Sequence, residues 1–472
     1  MELDLTKAQI GVLGLGTMGE SLALNLAGKG HFVAVFNRTT ERTNDLVDRV
    51  GGTMPILPAY SLDEFVKSME TPRKVLLMVT AGQAVDQVVK QLRPLLSSGD
   101  VLIDAGNSNF MDTERRAREA ADDGLALLGV GVSGGEEGAL KGPCIMVGGP
   151  EEAYRQVKPM FDSIAARTES GVCSAYLGPG GAGHFAKMVH NGIEYALMEL
   201  IAEAYDLQVT GLGMQFGAVV NNFKGWSRGE LESYLMEITV EALSRRDEYT
   251  GGPLVQVILD KAKQKGTGKW ASQTALDLGV PVPTIDAGVA ARNLSSYKEE
   301  RVAASRLHPS GALRYTGDRE AIGQKLGDAL YCSFIASFAQ GFALLKSGSK
   351  EFRYDLPMGE IARIWKGGCI IRAKLLDRIQ AALSAEPSLD NLLVDRALGS
   401  TLRSSEANWR EMAQIMKSLA VPAPGMDSAL DYYDGYRRET LPASLIQALR
   451  DIFGAHTYER TDRPGSFHTE WS

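Results

Sequence analysis

Thiols are scarce. The 472 residues hold four cysteines, Cys144, Cys173, Cys332 and Cys369, widely spaced and without a CxxC pair. That excludes a disulfide framework or a zinc site and reads as free thiols in a reducing compartment. Long apolar runs are missing too: no stretch approaches 18 uninterrupted apolar residues, so no membrane span is expected. Met1-Glu2-Leu3-Asp4 lacks the basic region and apolar run of a secretory leader, and a cytoplasmic location is expected. Nor is there an excess of positive charge. Fifty basic side chains face 58 acidic ones, a formal charge of -8, which disfavours broad attraction to nucleic acid or anionic lipid. An anionic ligand must therefore be met by a local basic pocket. Low-complexity segments and strict repeats are absent as well, and with 44% hydrophobic and 23% charged residues disorder is excluded as the main state.

Glycine, by contrast, is plentiful at 51 residues, many of them in short motifs where backbone must approach a ligand closely. The length implies two or three domains. From residue 8 to about 150, apolar runs at 10–13, 32–36, 75–79, 101–104, 126–130 and 144–147 alternate with amphipathic stretches. Short buried strands separated by helices predict a mostly parallel, doubly wound sheet with ligands at the carboxyl ends of its strands. The breaks at 14–19, 37–39, 80–82, 105–108 and 133–135 each follow an apolar run and should share one sheet edge. After Gly178, Gly180, Gly181 and Gly183 the rhythm becomes helical, as in 182–207. The reading is a Rossmann-like α/β N-terminal domain (1–178), a large all-α domain (179–437) and a short C-terminal tail (438–472). The tail is aromatic and too short to make its own core, so it must pack on something.

Gly14-Leu15-Gly16-Thr17-Met18-Gly19 is a GxGxxG directly after a short strand and before a plausible helix. Its glycines permit a tight turn, contact between main chain and a pyrophosphate, and close helix packing, while the helix N-terminus offers N–H groups to the anion. NAD sites place a carboxylate at the end of the next strand; here Asn37-Arg38-Thr39 stands instead. A carboxylate repels a 2′-phosphate, whereas Arg38 can pair with one and Asn37 and Thr39 can add hydrogen bonds, so NADP is favoured.

In the segment 183–195, Lys187, His190, Asn191, Glu194 and Tyr195 fall at i, i+3, i+4, i+7 and i+8, one face of a helix. Val189, Ile193, Ala196 and Leu197 lie opposite. A solvated polar stripe is the ordinary explanation of such a pattern. Two of only six histidines within the segment and a glycine-rich entry point instead to a site facing the cofactor edge.

The run Gly183-His184-Phe185-Ala186-Lys187-Met188-Val189-His190-Asn191-Gly192-Ile193-Glu194-Tyr195 closely resembles the signature of 6-phosphogluconate dehydrogenases, of the β-hydroxyacid dehydrogenase superfamily. So do Asn37-Arg38-Thr39, Asp104-Ala105-Gly106-Asn107-Ser108, Gly131-Val132-Ser133-Gly134-Gly135-Glu136, Lys265-Gly266-Thr267-Gly268-Lys269-Trp270 and the run 453–460. The resemblance implies metal-free oxidative decarboxylation of 6-phosphogluconate with NADP in the pentose phosphate pathway. Lys187 is then the general base and Glu194 the acid. It also implies cofactor contacts from Gly14, Gly16, Thr17, Met18, Gly19, Asn37, Arg38, Thr39, Val79, Thr80, Ala81 and Asn107. Asn107, Ser133, Gly134, Gly135, His190 and Asn191 would meet the sugar acid, and Tyr195, Lys265, Thr267 and Arg292 its phosphate. Arg450 and His456 would come from the tail of a second subunit, making a homodimer. Another β-hydroxyacid dehydrogenase, such as a 3-hydroxyisobutyrate or tartronate semialdehyde type, and a non-catalytic NADP-sensing protein are the rival readings.

Overall fold

The computed structural model describes residues 7–471 apart from 265, 310–312 and 314. Its N-terminal part is built on one eight-stranded sheet, numbered here along the chain with a small adjoining hairpin. The strands are β1 (Ile10–Leu13), β2 (Val33–Phe36), β3 (Ile56–Pro58), β4 (Lys74–Leu77), β5 (Val101–Asp104), β6 (Ala126–Ser133), β7 (Cys144–Gly148) and β10 (Ser174–Gly178). The two-residue strands β8 (Arg167–Thr168) and β9 (Gly171–Val172) make the hairpin. The spatial order β10-β7-β6-β5-β4-β1-β2-β3 puts the switch point at β1, with β2 on one side and β4 on the other. β1 to β6 are parallel, so the turns that follow β1, β2, β4, β5 and β6 do share one edge. β7 runs antiparallel to β6, and β10 follows β7. Helices cover both faces, which is why β1, β4 and β5 read as unbroken apolar runs and not as alternating ones.

Two of these strands are absent from the sequence reading. β3 is an edge strand of three half-buried residues ending in Pro58, and an edge tolerates a residue that cannot donate to a ladder. β10 is the opposite edge and leads through Gly178 to Gly181 into the helical part. Gly178 has φ +141, and a Cβ there would lie 2.2 Å from the Tyr354 carbonyl oxygen.

The helical part is arranged round a central helix, Ala182–Asp206, which is buried on nearly every side in its first three turns. It packs on Thr267–Asp277, on Pro283–Ser296 and on the long helix Arg319–Glu351. Glycines let these approach closely: a Cβ on Gly341 would lie 2.3 Å from Ile193 Cδ1, and one on Gly192 2.8 Å from Ala271 Cβ. The stretch Ala321–Glu351 is long and apolar enough to cross a membrane, but 89% of its apolar window is buried inside the fold, as in a core helix. All four cysteines are free and buried.

The C-terminal segment is a helix, Ala443–Gly454, followed by strands β11 (Tyr458–Glu459) and β12 (Ser466–Phe467), paired antiparallel. Asp451 holds it together. One carboxylate oxygen accepts the Thr457 N–H and faces His468 Nδ1, each at 2.9 Å; the other accepts Thr469 N–H at 3.1 Å and Trp471 Nε1–H at 2.8 Å. Leu445, Ile446, Leu449, Ile452 and Phe453 form an exposed apolar stripe along the same helix.

Candidate active site

The first turn fits a dinucleotide. Gly14 has φ +99, and a Cβ there would strike the Met78 carbonyl oxygen at 2.4 Å; one on Gly19 would strike Gly14 O at 1.9 Å. Beside Gly16 a Cβ would meet only the Arg42 Nη1, at 3.7 Å, so the chain leaves open space where a pyrophosphate must lie. The helix Thr17–Gly28 begins at Gly16 without a side-chain cap, leaving its first N–H groups available to an anion. At the end of β2, Arg38 is exposed and makes no ion pair with a described residue. Within the chain, the Asn37 Oδ1 accepts the Leu15 N–H at 2.9 Å and its Nδ2 donates to Thr39 O at 3.0 Å. It braces the two turns against each other, leaving Arg38 and Thr39 exposed beside them.

The polar stripe of the central helix faces the carboxyl end of β6, because two glycines in that strand let the helix sit directly on it. A Cβ on Gly131 would lie 2.4 Å from Lys187 Cβ and 2.9 Å from Gly183 O; one on Gly129 would lie 3.0 Å from His184 Nδ1. Lys187 is only 6% exposed and hydrogen-bonds no described residue. Burial lowers its pKa from the usual lysine value, and the Glu194 carboxylate works in the other direction. Glu194 is itself pushed up by burial, with Lys187 and Arg292 pulling it back. Seven residues separate the two, about 10 Å along the axis at the standard rise.

Between them, His190 is fully buried. Its Nε2 lies 3.2 Å from Ser133 Oγ and its Nδ1 3.0 Å from Asn191 Oδ1, while the Trp365 ring meets its own edge-on at 5.6 Å. Burial and the neighbouring Lys187 hold it neutral, well below the usual histidine range. Asn191 Nδ2 donates to Thr267 Oγ1 at 3.0 Å, tying the stripe to the start of Thr267–Asp277. Gly268 is needed there because a Cβ would lie 2.5 Å from the Tyr195 ring. Above that ring the Arg292 guanidinium stacks at 3.4 Å.

The structure thus gathers Lys187, His190, Asn191, Glu194 and Tyr195 on one helix face, with Ser133, Thr267 and Arg292 packed against it. Gly134 and Gly135, with φ +126 and +64, open the helix Gly135–Lys141 beside it. Asn107 is exposed in the turn after β5, and 79–81 lie in the turn after β4. Among the described residues, the partners of Arg450 and His456 lie in their own segment: Arg450 donates to Gln447, and His456 packs on Phe453. Lys265 lies outside the described residues. No group of three or more His, Cys, Asp or Glu side chains converges among the described residues.

Models of the NAD-binding domain and of the C-terminal domain of 6-phosphogluconate dehydrogenase match residues 9–178 and 183–471. The chain belongs to the 6-phosphogluconate dehydrogenase family. It is 50% identical over 468 residues to the NADP-dependent, decarboxylating 6-phosphogluconate dehydrogenase of Bacillus subtilis, covering 99% of this chain and 100% of that one. It is 52% identical over 468 residues to the decarboxylating enzyme of Synechococcus elongatus, covering 98% and 99%. Among solved structures it superimposes on Plasmodium falciparum 6-phosphogluconate dehydrogenase, described apo, with its cofactor NADP+ and with its substrate 6-phosphogluconate. The TM-score is 0.95 at 39% identity, over 98% of this chain and 100% of that one.

Three residues around the stripe and its turns had no part in the sequence reading. Trp365, against His190, and Cys369 come from a loop far along the chain; the Cys369 thiol donates to Trp365 O at 3.1 Å. Arg116, beneath the turns after β4 and β5, is only 1% exposed. Its signal was an arginine on a short helix directly after Asp104-Ala105-Gly106-Asn107-Ser108.

Proposed function

We propose that this enzyme oxidises and decarboxylates 6-phospho-D-gluconate to D-ribulose 5-phosphate and CO2 with NADP, in the oxidative branch of the pentose phosphate pathway. The observation that carries the reading is the buried amine of Lys187, without a hydrogen bond to any described residue, on the same helix face as Glu194, against the carboxyl end of β6. Bound NADP supplies the acceptor for the hydride that leaves C3. Lys187 takes the C3 hydroxyl proton, a step that needs its amine neutral, and burial lowers its pKa in that direction. The resulting ammonium then donates a hydrogen bond to the C3 carbonyl oxygen, and charge developing there is stabilised as the C1 carboxylate departs as CO2. The enediol left behind needs one proton on the carbon that becomes C1 of the product. Glu194, raised by burial and so able to carry that proton, delivers it from the far end of the stripe.

Ser133, the N–H groups at Gly134 and Gly135, His190 and Asn191 orient the sugar acid, and Asn107 touches both substrate and nicotinamide. Tyr195, Lys265, Thr267 and Arg292 take the terminal phosphate, with Arg450 and His456 reaching in from the tail of a partner in a cytoplasmic homodimer. Residues 1–178 bind cofactor, 179–437 bind substrate and pair the subunits, and 438–472 complete the neighbour's site. The exposed apolar stripe of Ala443–Gly454 supports that arrangement, since a helix with such a face ordinarily buries it. The test is turnover of 6-phosphogluconate with NADP, following NADPH absorbance and released CO2. One CO2 per NADPH is expected. Oxidation without CO2, or turnover of 3-hydroxyisobutyrate in its place, refutes the reading.

A further inference from the structure

Arg116, on the helix Phe110–Ala121, places a buried guanidinium under the two turns on the β4 and β5 side of the first glycine turn. Its Nε donates to Asp86 Oδ1 at 2.7 Å and its Nη2 to Gly82 O at 3.0 Å, which ends the turn after β4. Its Nη1 reaches Asp104 Oδ2 and Ser108 Oγ, both at 3.5 Å, in the turn after β5. Asp104 in turn accepts the Gly106 N–H at 3.2 Å and the Ser108 hydroxyl at 2.7 Å. The two turns also abut directly: a Cβ on Gly106 would lie 3.1 Å from Val79 O. Exposed Asn107 rides on top of this assembly.

The topology says which half of the cofactor this serves. β1 holds the pyrophosphate turn, and Arg38, at the end of β2, lies to one side of it. The nicotinamide must run the other way, across the ends of β4 and β5, to reach Lys187 on the central helix where it packs against β6. We propose that Arg116 is a positioning residue for the nicotinamide half of NADP: without touching it, the guanidinium fixes the turns 79–82 and 104–108 in register through Gly82, Asp86, Asp104 and Ser108. This rests on the NADP reading above. A planar fork of donors is required, since one lysine ammonium cannot serve a carbonyl, a hydroxyl and the carboxylates of Asp86, Asp104 and Asp112 spread round it.

The experiment compares the KM for NADP with inhibition by adenosine 2′,5′-bisphosphate, which carries the adenine half and the 2′-phosphate but no nicotinamide. Arg116→Lys is expected to raise the KM for NADP at least tenfold, and Asp86→Ala and Ser108→Ala at least threefold, with the inhibition constant of the bisphosphate within twofold of wild type. Should Arg116→Lys fail to fold by thermal melt, the two milder variants decide. Folded variants with an unchanged KM overturn the proposal, and so does an equal rise of both constants, which marks general damage. Arg38→Glu is run alongside and is expected to weaken the bisphosphate strongly. If it does not, the cofactor reading falls and takes the proposal with it; if it does while the other variants leave KM alone, only the role of Arg116 is lost.

Discussion

One methyl group at Gly131 tests whether the seat of the central helix on β6 sets the position of the reacting amine. In Gly131→Ala the new Cβ would stand 2.4 Å from Lys187 Cβ, 3.1 Å from Lys187 Cγ and 2.9 Å from Gly183 O. Carbon atoms are comfortable at about 3.5 to 4.0 Å, so helix and strand must separate by roughly 1 Å. Two of the three obstacles, a Cβ and a main-chain carbonyl, cannot rotate away. A misplacement of about 1 Å costs on the order of a hundredfold in rate, about 2.7 kcal/mol of activation free energy. Overpacking also removes about 1 to 3 kcal/mol of stability. The expected result is a folded enzyme with a lowered melting temperature, kcat down about a hundredfold and nearly normal NADP binding, because the first glycine turn lies three strands away across the sheet. The assay is steady-state NADPH formation beside calorimetric titration with NADP. A folded Gly131→Ala enzyme within twofold of the parent kcat would refute the reasoning, since the amine would then not depend on this contact.

Three further outcomes follow from the site. Lys187→Met should abolish NADPH formation while NADP still binds in calorimetry; retained turnover removes the lysine from the mechanism. Glu194→Gln should slow ribulose 5-phosphate release more than the first pulse of NADPH in rapid mixing. Its pH profile carries a sign as well: the Glu194 carboxylate raises the Lys187 pKa, so its loss lets that pKa fall further. Activity needs the neutral amine and is lost below its pKa, so the acid limb of kcat/KM should move to lower pH; a move to higher pH contradicts the pairing. Deletion from Pro442 onward should eliminate activity with NADP binding intact, and an active truncated enzyme rejects the shared site.

The helix face was legible because Lys187, His190, Asn191, Glu194 and Tyr195 repeat at helical spacing, and spacing survives folding unchanged. What those groups do to one another was not. Ser133 beside His190, and Thr267 beside Asn191, are 57 and 76 residues apart in sequence, and no local pattern announces such pairs. The double hydrogen bond of Asn37 was hidden for the same reason: Leu15 lies 22 residues earlier. β7 lies where its apolar run suggested, but apolarity carries no sign of direction, so its antiparallel pairing with β6 was invisible. β3 was missed because its three residues are only half-buried, and β10 because Ser174-Ala175-Tyr176-Leu177-Gly178, though largely buried, forms no continuous apolar run.

The greasy strip on Ala443–Gly454 makes protein concentration an experimental variable. A lone subunit keeps its tail folded, since Asp451 ties that segment to itself, yet leaves five bulky side chains wetted. For the homodimer proposed above, dilution should do two things at once: disassemble the pair, and release a species that adheres to vessel walls and to its own kind. Specific activity ought to fall on dilution faster than a simple dissociation curve allows, and an inert carrier protein should bring it back to that curve.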